Sequence, residues 1–394
     1  MKLKKLLSLL LACAMLLAIL SACGGNSGKD NNSDSKGSDN QTSDNQGNDR
    51  TEPYRIGMVN LSAYGTSMMA GMNAIKSMCD AADVELVAAE LAIGDGDSFL
   101  TSVENLINMG VDGIMVTPFT EGSIRLIADL CEENGVDWFL ANRQISDPEL
   151  KEYVYSQSKF VGNDYCAEAD ITYEVVERLH SEYGIKNMAV LGLTQGDVNG
   201  DIRDAAIAQA CEDLGINLLT ETRGIISTDD VTNAVEGIIS SYPEMDSIFI
   251  VGGLVTNGAL AGANQALTNH NLQDKVVIGM IDIAAGMEEY MGEGKPLKVV
   301  TGGKTVLDQT VAVAALINHS NGVNADKTPY VLYTKMLFVT SPEESVDYNT
   351  YYETPDMPMM TGDQWYETLL GKDLDTMQSF LDTFTVAYAK SLHQ

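Results

Sequence analysis

The stretch Asp137–Ile145, DWFLANRQI, begins as an apolar run and ends on an amide beside a guanidinium, Asn142-Arg143. An amide offers a donor and an acceptor, and a guanidinium offers a rigid fork of donors. Side by side they suit a ligand rich in hydroxyl groups. For Arg143 there is a local alternative, an ion pair with Asp147 or Glu149. Catalytic patterns are missing. The first apolar run leads into NLSAYGTSMMAG without a G-x-G-x-x-G, no G-x-S-x-G elbow occurs, and TGGKT lacks the first glycine of a phosphate loop because Lys298 stands there. DVNGD, residues 197–201, looks like half a calcium loop but lacks the next glycine and the distal glutamate. His180, His270, His319 and His393 are scattered, without metal-ligand spacing. No enzyme, cofactor or metal is expected.

The elements that must position such residues follow from periodicity. Strand-like runs at Ile56–Leu61, Val84–Ala89, Asp112–Thr117 and Val136–Ala141 alternate with helical patterns at Ser67–Ala82, Ser98–Met109 and Glu121–Asn134. After a helix over 165–183 the rhythm repeats, with strands at Asn187–Leu193, Asn217–Arg223, Ser247–Val251, Val276–Ile281 and Leu297–Thr301. Helices fall between them at Asp201–Leu214, Thr228–Tyr242 and Asn257–Asn269, with a short one at Ala284–Gly292. Apolar strands alternating with helices imply parallel sheets covered on both faces, hence an α/β protein of two doubly wound lobes. A helix over Val306–His319 and a strand over Tyr330–Phe338 return to complete the earlier sheets. Ligands of such sheets sit beyond the strand carboxyl ends. Here those ends are Ser62–Tyr64, Thr117, Asn142-Arg143, Gly162-Asn163, Thr194–Asn199, Gly252-Gly253, Asp282 and Gly302–Lys304.

At 394 residues and 45% hydrophobic composition, the chain has room for two cores. A formal charge of −32 makes nucleic-acid backbones and anionic membrane surfaces poor partners. Met1–Lys5 is basic, Leu6–Ile19 is apolar but short for a bilayer span, and Leu20-Ser21-Ala22-Cys23 resembles a bacterial lipobox in which Cys23 is lipidated. The alternative is an ordinary leader with an incidental cysteine. Residues 24–53 are almost all Gly, Asn, Ser, Asp, Gln and Lys, a composition expected to stay disordered and act as a tether. Cys79, Cys131, Cys166 and Cys211 lie in helical patterns and are expected as buried free thiols, with Cys79 and Cys131 on opposite faces of the first sheet.

Several motifs resemble the periplasmic-binding-protein type I family, in its sugar-binding branch related to ribose- and galactose-binding proteins. They are RIGMVNLSAYGTSMMAGMNAI, GVDGIMVTP within the following region, VGNDYCAEA, VIGMID and LYTKMLFVT, and the likeness runs from about Tyr54 to Thr340. The resemblance implies two lobes joined by a hinge: residues 54–163 with 305–328, and 164–304 with 329–340. Residues 1–23 are then the leader, 24–53 the tether and 341–394 a C-terminal helical extension. It further implies a lipid-anchored monomer on the extracytoplasmic face of the bacterial cell envelope, handing a sugar-like ligand to an ABC permease and ATPase complex. A ligand sensor feeding a membrane kinase or chemoreceptor is the alternative.

Carried over position by position, the resemblance names Tyr64, Asn142, Arg143, Asn163, Asp197, Asn199, Arg203 and Asp282 as ligand-binding residues. Tyr64 would stack on a sugar ring, and Arg203 would reach the cleft from an early helical turn unless it is merely an exposed helix charge. The chain departs from the pattern where Gly252-Gly253 replaces an Asn-Asp pair, and Asp282 comes one step late. The second-lobe aromatic and the late amide fall near Ile226-Ser227 and Gly302–Lys304. GGLVTNG and TGGKT either offer backbone N–H groups to an anionic group or form tight turns with close backbone approach. In the extension, Leu374, Met377, Leu381, Phe384, Tyr388 and Leu392 fall on one helical face, expected to pack on the body, with a permease or sensor interface as the alternative.

Overall fold

Runs without a polar side become central strands, and runs that alternate become edges. In the computed structural model, which describes residues 52–61, 66–91, 98–224, 228–252, 256–283, 286–303, 305–352, 354 and 358–393, two six-stranded sheets form. The first comprises β1 (Arg55–Asn60), β2 (Glu85–Glu90), β3 (Gly113–Val116), β4 (Asp137–Leu140), β5 (Phe160–Tyr165) and β11 (Tyr330–Tyr333), all parallel, in the order β2-β1-β3-β4-β5-β11. The second comprises β6 (Asn187–Leu191), β7 (Asn217–Thr222), β8 (Ser247–Ile250), β9 (Val277–Ile281), β10 (Leu297–Gly302) and β12 (Leu337–Val339), in the order β7-β6-β8-β9-β10-β12. Only β12 runs antiparallel to its neighbour. GIMV of β3 and SIFI of β8 are buried at every position, whereas ELVAAE of β2 and NLLTET of β7 keep exposed residues and stand at the edges.

The helices are α1 (Thr66–Ala81), α2 (Phe99–Asn108), α3 (Glu121–Asn134), α4 (Pro148–Tyr155), α5 (Glu168–Tyr183), α6 (Val198–Leu214), α7 (Thr228–Ser241), α8 (Thr256–Asn269) and α9 (Thr305–Ser320). The C-terminal extension adds α10 (Pro342–Tyr351), α11 (Gly362–Leu369), α12 (Leu374–Thr383) and α13 (Val386–Ser391). Left-handed Gly135, Gly184 and Gly215 end α3, α5 and α6, where a side chain would be strained.

Four expectations need correction. The helix expected from 165 begins at Glu168, because FVGNDY pairs with β4 and β11 as β5 despite its polar residues. The single strand expected over Tyr330–Phe338 is two strands in different sheets, so the lobe boundary expected at 329 falls after Tyr333. The chain therefore crosses between lobes at Tyr165–Glu168, Gly302–Thr305 and Tyr333–Leu337. In place of an α-helix over Ala284–Gly292 the described part holds a short 3-10 turn, Met287–Tyr290. The helical face expected from Leu374 to Leu392 breaks at Phe384, because Thr385 caps a new helix by accepting from the Tyr388 N–H. Met377, Leu381 and Phe384 are buried on the body, while Tyr388 is 39% exposed.

Cys79 packs with Ile56, Met58 and Phe139, and Cys131 packs with Val59, Trp138 and Leu140, on opposite faces of the first sheet. All four described cysteines are buried. Burial pushes the thiols of Cys79 and Cys131 up to about 12 and that of Cys211 to about 11. No helix among the described residues is long and apolar enough to cross a membrane. Because the thiolate is the reactive form, these three side chains should resist iodoacetamide at pH 8 in the native protein and react fully in denaturant. Peptide mapping that found native alkylation at Cys79 or Cys131 would contradict this packing.

Candidate functional site

The tip of β4 turns on Asn142, whose φ of +54° lies in the left-handed region that asparagine tolerates better than most residues. Asp164, wholly buried near the end of β5, braces this turn. Its Oδ1 accepts from the Asn142 N–H at 3.3 Å, and its carbonyl accepts from the Arg143 N–H at 3.0 Å. Asn163 donates its amide to the Arg143 carbonyl at 3.1 Å and accepts from the Tyr155 hydroxyl at 2.8 Å, so it holds the loop from behind.

Arg143 is 6% exposed. Its Nε donates to the Pro118 carbonyl and its Nη1 to the Asn142 carbonyl, both at 2.7 Å. The local ion pair with Asp147 or Glu149 does not form. Asp147 instead caps α4 by accepting from the N–H groups of Glu149 and Leu150. Burial lowers the Arg143 pKa, opposed by the charges of Asp197, Asp308 and Asp164, with Arg203 lowering it further. Asn142 is 8% exposed, and its Oδ1 has no hydrogen-bond partner among the described residues.

The second lobe supplies Arg203, 3% exposed rather than a surface helix charge. Its Nε donates to Glu168 Oε2 at 2.8 Å, its Nη1 donates to the Val251 carbonyl at 2.7 Å, and Asp282 Oδ2 stands 3.8 Å from Nη1. Asp282, at the tip of β9, is left-handed like Asn142, with φ +73°. Gly252 makes this meeting possible. A Cβ there would lie 2.6 Å from Asp282 Oδ2 and 3.0 Å from Arg203 Nη1. Of the two readings of this glycine, close approach fits what is observed.

Asp197 caps α6 by accepting from the Gly200 N–H at 2.8 Å, and Asn199 is buried in its first turn. Across the cleft the Val198 N–H donates to the Phe119 carbonyl at 3.3 Å. Asn142, Arg143, Asp197 and Arg203 are thus drawn toward one another from both lobes. Tyr64 and Cys23 lie outside the described residues, as do Gly253 and Lys304.

Three site neighbours escaped the sequence reading. Glu168 sits in the segment read as a helix over 165–183, and Asp164 lies one residue before it. Asp308 is wholly buried in the first turn of α9, and its signal was available as an isolated Asp-Gln in TVLDQTVAVAALIN. Beside the site, Arg223 pairs with Asp201 at 2.6 Å, Asp204 at 2.5 Å and Glu221. Burial and the charge of Glu221 push the Asp204 carboxyl up to about 7, against the pull of Arg223. Among the described residues no group of three or more metal-ligating side chains is placed to hold an ion.

A sequence-family model described as the periplasmic binding protein domain matches residues 56–320, two thirds of the chain, and the chain belongs to that family. No functionally curated protein gives a significant match. Among solved structures, an ABC transporter periplasmic solute-binding protein from Actinobacillus succinogenes with bound D-allose is 19% identical, with a TM-score of 0.63 over 76% of this chain and 100% of that one. A 5-methylthioribose transporter solute-binding protein from Thermotoga lettingae, in complex with that sugar, is 16% identical, with a TM-score of 0.63 over 86% of this chain and 96% of its own. An ABC transporter solute-binding protein from Bacillus halodurans with bound myo-inositol is 20% identical, with a TM-score of 0.62 over 77% and 100%.

Two outcomes follow from the charges. Glu168→Ala strands Arg203 in the interior and should cost about 3–5 kcal/mol in urea unfolding. A loss below 1 kcal/mol would mean that the pair does not hold Arg203 in place. Asp204 keeps its proton to about pH 7 when folded but only to about pH 3.9 when unfolded. Between those values the folded state binds more protons, so this group's contribution to stability falls as pH rises. Calorimetric melting temperatures of Asp204→Asn should therefore drop less between pH 5 and pH 8 than those of the wild type.

Proposed function

We propose that this protein is a lipid-anchored, extracytoplasmic solute-binding protein that captures a sugar or similar small polyhydroxylated ligand between its lobes and delivers it to an ABC importer. The observation that carries the reading is the Asn142-Arg143 turn. It is a buried amide with an unpartnered Oδ1 beside a buried guanidinium, facing Arg203 of the other lobe. Membership of the periplasmic binding protein family supports solute binding without covalent chemistry, and the neighbours with allose, 5-methylthioribose and myo-inositol support a hydroxyl-rich ligand. Charge supports a neutral one. Around the two guanidinium groups stand Asp164, Glu168, Asp197, Asp282 and Asp308. An anion would meet more carboxylate than guanidinium, whereas hydroxyls can donate to the former and accept from the latter.

Asn142 and Arg143 of the first lobe are assigned to hydroxyl recognition, with Arg203, Asp197, Asn199 and Asp282 on the opposite wall and Tyr64 as the stacking ring. Asn163 acts by holding Arg143. Cys23 carries the lipid, and residues 24–53 tether the body to the membrane. Lobe closure around the ligand biases an equilibrium that the permease reads.

The test is a thermal-shift and calorimetry panel of neutral sugars and polyols, including D-allose, 5-methylthioribose and myo-inositol, set against sugar acids. At least one neutral member should bind. Asn142→Gly removes the amide while keeping a residue that accepts the left-handed turn. It should weaken that ligand at least tenfold, about 1.4 kcal/mol, and leave the melting temperature of the free protein within a few degrees. Binding confined to sugar acids, or an affinity indifferent to Asn142→Gly, would overturn the assignment.

A further inference from the structure

The C-terminal extension grips two of the three crossings between the lobes. At the second crossing, the Tyr352 hydroxyl donates to the Gly303 carbonyl, and the stacked rings of Tyr348 and Tyr352, 5.0 Å apart, lie on Gly303 itself. Gly303 is left-handed, with φ +87°, and a Cβ there would stand 2.8 Å from the Tyr348 ring. At the third crossing, Gln378 of α12 meets the backbone of Tyr333 twice. Its Oε1 accepts from the Tyr333 N–H and its Nε2 donates to the Tyr333 carbonyl, each at 2.9 Å. Lys335, within the same crossing, pairs with Asp382 of α12 at 3.4 Å.

The grip is anchored on both lobes. On the first, Trp365 and Leu369 are wholly buried. Asn318 at the end of α9 donates to the Leu369 carbonyl at 2.9 Å and accepts from the Gly371 N–H at 2.8 Å. On the second, Ser345 of α10 donates to Glu288 at 3.1 Å. Within the extension, Lys390 and Asp347 join α13 to α10 at 2.8 Å, and Phe384 packs edge-on to Tyr352 at 5.5 Å. The extension is therefore one packed unit with a purchase on each lobe.

From this geometry we infer that Tyr352 and Gln378 are positioning residues of the binding cycle: by holding the crossings at Gly303 and Tyr333, they keep the lobes apposed before any ligand arrives. Hinge motion is absorbed by backbone rotation at a few crossing residues. Side chains bonded to the carbonyl of Gly303 and to both backbone groups of Tyr333 oppose that rotation directly. The apposed state is the one in which Val198 bonds Phe119 across the cleft and Arg143 shares its field with Asp197 and Arg203. Neither tyrosine nor glutamine need touch the ligand. Each acts through the crossing it holds.

The proposal is tested without ligand, so its failure and that of the sugar reading are separable. Fluorophores are placed at positions 133 and 212, exposed on α3 of the first lobe and α6 of the second, through a keto-bearing non-canonical amino acid. Single-molecule energy transfer on the full chain then reads the lobe separation. The wild type should show one dominant apposed population. Tyr352→Phe with Gln378→Ala deletes the three side-chain hydrogen bonds to Gly303 and Tyr333 and should raise the ratio of separated to apposed molecules by about tenfold or more. Tyr352→Phe alone, which keeps the ring, should move it in the same direction and decides the matter if the double variant does not fold. Trp365→Phe loosens the extension away from the crossings. It should lower the melting temperature and leave the distribution as in the wild type. A folded Tyr352→Phe and double variant with the wild-type distribution would overturn the inference. So would a Trp365→Phe variant that separates the lobes as far as the double variant does.

Discussion

Helix α9 has no polar side, and much of the molecule is arranged to cover it. Every residue from Val306 to Asn318 is buried. A helix that is apolar all round must be enclosed on all sides. One side lies on β3, β4 and β5, another on α1, and the C-terminal extension joins the same core through Trp365, Leu369 and Met377. This helix belongs to the first lobe but is fed from β10 of the second, so its first residues form a hinge crossing. Its first turn carries Asp308, whose charge reaches Arg143, and its last turn carries Asn318, which ties down the extension. Site, hinge and extension thus share one rigid strut.

The site depends on strand polarity. Parallel strands send all their carboxyl ends to one edge of each sheet, and two such edges facing each other concentrate polar residues where each chain end must turn. Asn142 and Asp282 make those turns in the left-handed region, a conformation that costs something at any residue with a side chain and persists where its surroundings enforce it. Asp164 enforces the first by receiving both the Asn142 and Arg143 N–H groups. Gly252, by lacking a Cβ, admits Arg203 and Asp282 at the second. Buried guanidinium groups are tolerated because each finds carbonyl oxygens, and Arg203 a carboxylate as well.

Much of this was legible in the chain. Continuous apolar runs such as GIMV and MAVL, short and set between helical patterns, read as strands buried on both faces, and the left-handed glycines after α3, α5 and α6 mark their own helix ends. Asn142-Arg143 was visible because a polar pair stood at the end of DWFLA. What escaped has a common cause: partners distant in sequence override local pattern. FVGNDY reads poorly as a strand, yet it pairs on both sides, and Gly162 and Asn163 face β11 across the ladder. Glu168 reads as a routine acidic first turn, and only its 2.8 Å approach to Arg203, 35 residues away, gives it a role. LYTKMLFV reads as one strand because nothing local tells that Thr334–Met336 passes from one sheet to another.

That passage explains why the extension packs where it does. A crossing that joins two sheets exposes backbone groups that neither sheet can pair, and unpaired backbone is costly once desolvated. Tyr333 has β5 on one side only, and Gln378 supplies a side-chain amide where a further strand would bring a peptide. The Gly303 carbonyl, between β10 and α9, is met in the same way by the Tyr352 hydroxyl. Satisfying these groups and restraining the hinge are therefore one act. Any lobe movement that rotates the peptide at Gly303 or Tyr333 must break the bonds that complete it. The energy that orders the extension is added to the cost of separating the lobes, so the open and apposed states are weighted by residues far from the cleft.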